Sequence, residues 1–223
     1  MSLGIYIGVP LAVVGGIALC WAGASALTGR YSVENASYKV VRSLSHGEVR
    51  YYPPQIAARV LVQGVPRVED AQRLGFRKLA GFIFGKNIAP TSSVSSSATS
   101  ASIAMTSPVI TSPSMSSASG FHISFVMPSK YTTVDSLPRP LDPSVEILSV
   151  PGRYEVADRA TGVPSSEEER QHRADALYAI ARKEGLTPIL NIAPRTYLYD
   201  PPWTPYFFRR SDVAIEVEDP NGK

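Results

Sequence analysis

The same order of extended runs and a helix occurs twice in this sequence, and that repetition restricts the fold more than any other feature. Each half has extended runs, then an amphipathic helix whose apolar residues recur at three- and four-residue spacing, then two further strands. The predicted segments are 37–43, 48–52, 56–63, helix 68–87, 103–110 and 121–127 in the first half, and 145–150, 153–159, helix 166–184, 188–200 and 212–217 in the second. The duplication predicts an α+β domain of βαββ-type units, a distorted antiparallel β-barrel with two helices packed outside it.

Both predicted helices have recognisable ends. Glu69 lies in the first turn of the first helix, where an acidic side chain favours the helix dipole, and Gly85 marks its end. Ser166 and Glu169 form a capping box at the start of the second helix, and Gly185 is its expected C-cap. These signals make the helices the best-defined elements of the prediction.

Two Ser/Thr-rich segments, near 90–102 and 111–120, are predicted to be surface loops. They lack the apolar side chains whose burial would offset the entropy lost on ordering them. Pro108 lies between them in the short apolar run 103–110. Because proline cannot donate to a strand ladder, it predicts an edge strand or a bulge there.

The N-terminal segment differs from the rest of the chain. Residues 3–27 carry no charge and, as a helix, are long enough to cross a hydrocarbon core of about 30 Å. We therefore divide the chain into a membrane anchor, a transmembrane helix within 1–30, and a folded domain at 31–223. The basic residues that follow the anchor place the domain on the cytoplasmic side by the positive-inside rule: Arg30, Lys39, Arg42 and Arg50.

A cleaved signal peptide is the alternative for this segment. Small residues at 24–26 fit a cleavage site near Ala26, which would leave a secreted or periplasmic domain. Signal peptides begin with a positively charged region, however, and no Lys or Arg precedes the apolar run here. The absence favours a retained anchor.

Charge, cysteine content and motifs exclude several functions. The net charge is +3 without a dense run of Lys and Arg, so no nucleic-acid partner is predicted. Cys20 is the only cysteine, which excludes an internal disulfide, a thiolate zinc site and covalent haem attachment. No GxSxG, HExxH, P-loop or GxGxxG motif occurs, and no histidine has a partner at metal-binding spacing. We expect neither an enzyme nor a metal site of the zinc type.

Six motifs occur in an order that resembles the SOUL haem-binding family. They are GEVRYYPP, GFRKLAGFIFGKN, IAMTSPV, ISFVMPS, LPRPLDPSVEI and YDPPWTPYFFRRSDVAIEV, and the resemblance covers about 31–217. The resemblance implies a barrel of duplicated βαββ units that binds haem or another tetrapyrrole reversibly and non-covalently in an apolar cleft, with no catalytic reaction. The expected role is a membrane-tethered carrier, buffer or sensor. The alternative is a membrane-associated adaptor of the same fold that does not bind haem.

The resemblance and the needs of haem together indicate candidate binding residues. Haem requires apolar surface for its macrocycle and cations for its two propionates. Arg73 occupies the place of a basic residue that the family's first helix is thought to direct at a propionate, and Lys78 lies nearby beside the apolar stripe. Tyr51 occupies the position of a proposed axial histidine, which is the observation that keeps the adaptor alternative open. Met105 is a further candidate contact.

An aromatic group near the C-terminus could form one wall of the cleft, or could simply pack a loop onto the barrel. It lies in a proline-rich segment and comprises Tyr199, Trp203, Tyr206 and Phe207. Among the histidines, His122 alternates with Phe121, Ile123 and Phe125, so we expect it to face away from the core that they face.

Overall fold

The computed structural model describes residues 33–90, 99–115, 120–164, 166–200 and 204–222. These residues form two α-helices, α1 (Val68–Ile83) and α2 (Glu167–Lys183). They also form the strands β1 (Glu34–Asn35), β2 (Lys39–Ser43), β3 (Glu48–Tyr52), β4 (Gln55–Gln63), β5 (Asn87–Ile88), β6 (Thr106–Ser107), β7 (Val109–Pro113), β8 (Gly120–Val126), β9 (Arg139–Pro140), β10 (Val145–Val150), β11 (Arg153–Ala157), β12 (Ala160–Thr161), β13 (Arg195–Leu198) and β14 (Arg210–Val217).

The main sheet confirms the predicted duplication. Its strands are antiparallel and follow the order β10-β4-β8-β7-β13-β14-β11-β3-β2, with β12 paired to β14 off this path. The series β3-β4-α1-β7-β8 corresponds to β10-β11-α2-β13-β14. Replacing each strand between β10 and β3 by its counterpart gives the same strand order, read from the opposite end. The first strand of each repeat pairs with the second strand of the other repeat. The two halves therefore fold as one unit.

The sheet is strongly curled because short linkers join strands that are far apart in its order. Pro53 and Pro54 connect β3, eighth in the order, to β4, which is second, and Pro151 and Gly152 connect the first strand, β10, to the seventh, β11. Six strand spacings in a flat sheet would cover about 29 Å. Two linker residues reach only about 11 Å. The pairing can be satisfied only if the sheet bends round on itself.

The result is an open half-barrel, which corrects the prediction of a barrel. The strands β10 and β2 are the two ends of the described sheet and do not pair with each other. The strand β2 is an added edge strand outside the duplicated set, and all five of its residues are exposed.

Both helices pack on the same face of the sheet. The helix α1 covers β4 and β8 with a core that includes Leu79, Phe82 and Phe125. The helix α2 covers β14 and β11 with a second core that includes Leu177 and Ile215. Since strand side chains alternate between faces, the residues between these core positions point to the opposite, concave face of the half-barrel.

The helix ends follow the predicted signals closely. The helix α1 starts at Val68 as predicted but ends at Ile83, and Gly85 then takes a positive φ of 113° that only glycine adopts easily. At the start of α2, the Ser166 hydroxyl accepts a hydrogen bond of 3.1 Å from the Glu169 amide, which confirms the serine half of the capping box. Gly185 follows α2 with a φ of 72°.

The predictions for the segment around Pro108 were wrong in two respects. Pro108 separates β6 from β7 and lies on no edge of the main sheet, because β7 pairs with β8 on one side and β13 on the other. Residues 111–113 belong to β7 and not to a loop. Thr111 is buried there opposite Ile123 and Thr196, so the ladder on both sides orders a segment of low apolar content.

The remaining predicted segments agree in part. The predicted strand 188–200 is regular only over β13. In the Ser-rich loop near 90–102, residues 99–102 have no regular structure and 91–98 lie outside the described residues. The predicted anchor at 1–30 also lies outside them. No helix in the described part of the chain is apolar and long enough to cross a membrane.

Candidate ligand-binding groove

The concave face of the half-barrel encloses a groove with a volume of about 370 Å³. Volumes of about 300–1,000 Å³ are typical of small-molecule sites. Its walls come from both repeats, because the sheet curls around it. Apolar wall residues include Ala57, Ile110, Val126, Leu148 and Val150, and polar ones include Arg59, His122, Ser124, Arg153 and Arg195.

A buried carboxylate organises the polar wall. Glu155 is fully buried and accepts hydrogen bonds from Arg153 Nε at 2.6 Å, Arg195 Nη1 at 2.8 Å and the Tyr197 hydroxyl at 2.6 Å. Arg195 also donates to Glu216 at 2.8 Å. Alternation along β11 and β13 produces this arrangement, because Val156 faces α2 while Glu155 and Ala157 face the concave side of the sheet. A buried charge is tolerated only with such partners.

The protonation states in this cluster follow from its contacts. Burial by itself would raise the pKa of Glu155, but Arg195, Arg153 and the Tyr197 hydroxyl together hold that pKa below its ordinary value. Burial and the neighbouring Glu155 carboxylate raise the pKa of Tyr197. At neutral pH, therefore, Glu155 is ionised and Tyr197 remains a hydroxyl donor.

A second buried cluster supports the strands beside the groove. Arg50 Nη1 lies 2.7 Å from the Asp212 carboxylate, and neither side chain is exposed. The Tyr199 hydroxyl donates to Asp212 at 3.0 Å. The Tyr52 and Tyr197 rings stack at 5.8 Å between the two clusters. This network ties β3, β13 and β14 together on the concave side of the sheet.

Two nitrogens on residues of the groove wall have no hydrogen-bond partner in the described structure. They are Arg153 Nη1 and His122 Nδ1, and both atoms are buried. The Arg153 side chain is only 6% exposed. A buried donor or acceptor without a partner costs about 1–3 kcal/mol.

His122 is uncharged at neutral pH. Burial lowers its pKa, the nearby Arg59 lowers it further, and Glu146 opposes the shift only in part. As predicted, His122 lies on the opposite face from Ile123 and Phe125, but that face is the wall of the groove.

The predicted site residues on and near α1 do not reach the groove. Arg73 is 70% exposed and donates to the Asp70 carboxylate at 2.9 Å. Lys78 Nζ donates to the Ser144 hydroxyl at 2.8 Å. Met105 packs against the core beneath α1. These three residues are not brought together with the other candidates.

The remaining candidates are also dispersed. Tyr51 lies on the opposite face of β3 from Tyr52, with its ring 5.0 Å from that of Tyr154. Tyr199 belongs to the Arg50–Asp212 cluster, and the Arg210 guanidinium lies 3.5 Å from its ring centre. Phe207 is 63% exposed against Phe208. Trp203 and the Tyr206 side chain lie outside the described residues.

The sequence did not predict Arg153 and Arg195 as groove residues, nor Glu155 as the buried carboxylate that pairs with them. The available signal was polar side chains at alternate positions of two strands, Arg153 and Glu155 in RYEVA and Arg195 and Tyr197 in RTYL. Charged residues on one face of a strand usually indicate solvent. Here the sheet is curled, so the face that carries these side chains is concave and lines the groove.

An antiparallel half-barrel with helices on one face and a groove with unpaired polar atoms on the other has the architecture of a ligand-binding domain. The chain belongs to the SOUL heme-binding protein family, whose sequence model matches residues 33–216. No curated protein matches the chain. The family suggests haem or a related tetrapyrrole as the ligand, as the sequence motifs had implied.

Solved structures show the same fold at low sequence identity. The C-terminal domain of EcmrR is 12% identical, with a TM-score of 0.50 over 82% of this chain and 98% of that one. An uncharacterized conserved protein from Listeria innocua is 11% identical, with a TM-score of 0.50 over 84% of this chain and 95% of that one. At such identities the likeness concerns the fold alone.

The groove residues fit a haem-type ligand chemically. Arg153 offers unpaired N–H groups for a carboxylate, and guanidinium groups bind carboxylates well. The aliphatic side chains named above offer apolar surface, and His122 offers a neutral imidazole. No cluster of three or more His, Cys, Asp or Glu side chains that could hold a free metal ion occurs among the described residues.

Proposed function

We propose that this protein binds haem or a related tetrapyrrole, reversibly and without a covalent bond, in the groove of its half-barrel. The observation that carries the proposal is the buried, unpaired Nη1 of Arg153 on the wall of a partly apolar groove. Membership in the SOUL family supports the choice of ligand. The role we infer is that of a carrier, buffer or sensor, not an enzyme.

The free hydrogen-bond donors of Arg153 favour a carboxylate ligand. Arg153 uses Nε for Glu155 and Nη2 for the Tyr197 hydroxyl, at 2.6 and 3.3 Å. An arginine carries five N–H donors, so three remain, the two on Nη1 and one on Nη2. The Glu155 oxygens already accept from three side chains. A propionate would complete the hydrogen bonding of Arg153 without disturbing that cluster.

We further propose that the charge-free residues 3–27 tether the domain to a membrane, with the domain on the cytoplasmic side. The support is the length and apolar character of the segment and the basic residues that follow it. Tethering would keep the domain close to the lipid phase, into which apolar tetrapyrroles partition.

A titration of the full-length protein with hemin tests the ligand and the site together. We expect a saturable shift of the Soret band near one equivalent. Arg153→Lys keeps the positive charge beside Glu155 but removes Nη1, and should weaken binding by about 10–100-fold, as expected for one hydrogen bond to a charged group.

Arg73→Glu is the control for Arg153→Lys, because it changes an arginine on the α1 surface outside the groove. If the groove is the site, this variant binds hemin as well as the wild type does, because Arg73 is exposed and already paired with Asp70. Weak binding in Arg73→Glu with normal binding in Arg153→Lys would move the site to α1. Absence of saturable binding in the wild type would favour the adaptor function instead.

A further inference from the structure

His122 is the histidine that the fold turns toward the groove. It lies in the middle of the sheet on β8, opposite Leu61 of β4 and Ser112 of β7. The other two histidines of the chain are exposed and do not line the groove: His46 in the turn before β3 and His172 on α2.

The imidazole of His122 is half-buried, and one of its ring nitrogens lacks a hydrogen bond. Its Nδ1 is buried without a partner in the described residues, whereas buried histidines normally satisfy their ring nitrogens. The lowered pKa keeps the ring neutral. A neutral imidazole has a nitrogen lone pair free for a metal, which a protonated one lacks.

The geometry points to His122 as the protein's ligand to the iron of a haem bound in the groove. This inference rests on the proposed function and deepens it. Haem iron is commonly held by a histidine. Tyr51, which occupies the position suggested by the sequence motif, faces the other side of the sheet beside Tyr154 and would not reach a ligand in the groove.

The test uses full-length protein loaded with ferric haem and three histidine variants. In the wild type we expect the optical, resonance Raman and electron paramagnetic resonance signatures of a nitrogen-ligated iron. His122→Ala should lose these signatures, and added imidazole should restore them. His46→Ala and His172→Ala are matched controls, which should retain the wild-type spectra because neither residue lines the groove.

Metal-free protoporphyrin IX separates the inference from the proposal on which it rests. Its binding, followed by fluorescence, should be the same in the wild type and in His122→Ala, since no iron is present. Haem binding to His122→Ala should weaken by about tenfold or more. If neither compound binds to the wild type, the proposed function fails.

Three results would overturn the role of His122 while leaving the proposed function intact. One is a haem spectrum unchanged in His122→Ala. Another is a spectrum that changes in Tyr51→Phe but not in His122→Ala. The third is loss of the spectrum in Met115→Leu alone, since Met115 also lines the groove and carries a soft thioether.

Discussion

Glu155 connects strands that are not neighbours in the sheet. Its carboxylate lies on β11 and accepts from Arg195 and Tyr197 on β13, while β14 runs between these two strands. The same carboxylate orients Arg153, the residue that we propose to meet the ligand. The stability of the domain and the shape of the groove therefore depend on one buried charge.

Glu155→Gln should destabilise the domain strongly. The change leaves Arg153 and Arg195 buried without their shared carboxylate, and removing one partner of a buried ion pair costs about 3–5 kcal/mol. Urea unfolding measures the difference. Glu146→Gln is the control, because Glu146 pairs with Arg59 at 2.7 Å on an exposed part of the wall, where such pairs are worth about 0–1 kcal/mol. Equal losses of unfolding free energy in the two variants would show that Glu155 stabilises the domain no more than an exposed ion pair does.

The effect of Glu155 should depend on pH in a defined direction. Because the folded protein lowers the pKa of this carboxyl, the unfolded chain binds its proton at higher pH than the folded chain does. The stabilisation is present above the unfolded pKa, about 4.3, and is lost as the pH falls through the folded value. Wild-type protein and Glu155→Gln should therefore differ most in unfolding free energy near pH 7 and converge in acid. A constant difference from pH 7 to pH 3 would contradict this.

At the scale of elements, α1 lies unusually close to β8 at Gly75. A Cβ at this position would lie 2.5 Å from Ile123 Cγ1, which is a severe overlap. Gly75→Ala should thus destabilise the domain by about 1–3 kcal/mol through overpacking. The loss should appear even though alanine favours a helix interior over glycine by about 1 kcal/mol.

Gly81 provides the comparison on the same helix. A Cβ there meets only the flexible Lys86 side chain, at 3.2 Å, so Gly81→Ala should leave the melting temperature unchanged or raise it. Thermal unfolding followed by circular dichroism measures both variants. A stabilised Gly75→Ala would mean that α1 does not approach β8 as closely as described.

The elements differ in how well the sequence predicts them, and the reason is the range of their interactions. The helix α2 depends on local signals, and Ser166 and Gly185 mark its ends in both sequence and structure. The strand β7 depends on partners far away in the chain. Thr111 suggests a loop locally, yet pairing with Ile123 and Thr196 makes it part of the sheet centre.

At the scale of the whole molecule, the sequence motifs predict the family but not the site. The groove depends on the pairing of β14 with both β11 and β13, which brings Arg153 within hydrogen-bond distance of Tyr197, 44 positions later in the chain. It also depends on which face of β3 is concave. Tyr51 and Tyr52 are adjacent in the sequence, but only Tyr52 lies on the concave face. Periodicity assigns residues to faces, but it does not say which face encloses a ligand.

The tether and the groove should be separable. Residues 33–222 contain both helices, the complete main sheet and every residue of the groove wall, so the fragment 33–223 should fold and bind hemin with the affinity of the full chain. Only the full chain should float with lipid vesicles after a wash at alkaline pH, because we propose residues 3–27 as the tether. Mass spectrometry of the mature N-terminus tells a retained anchor from a signal peptide cleaved near Ala26. Flotation of the fragment would assign membrane binding to the folded domain, and a fragment that folds but no longer binds hemin would show that the N-terminal segment contributes to the site.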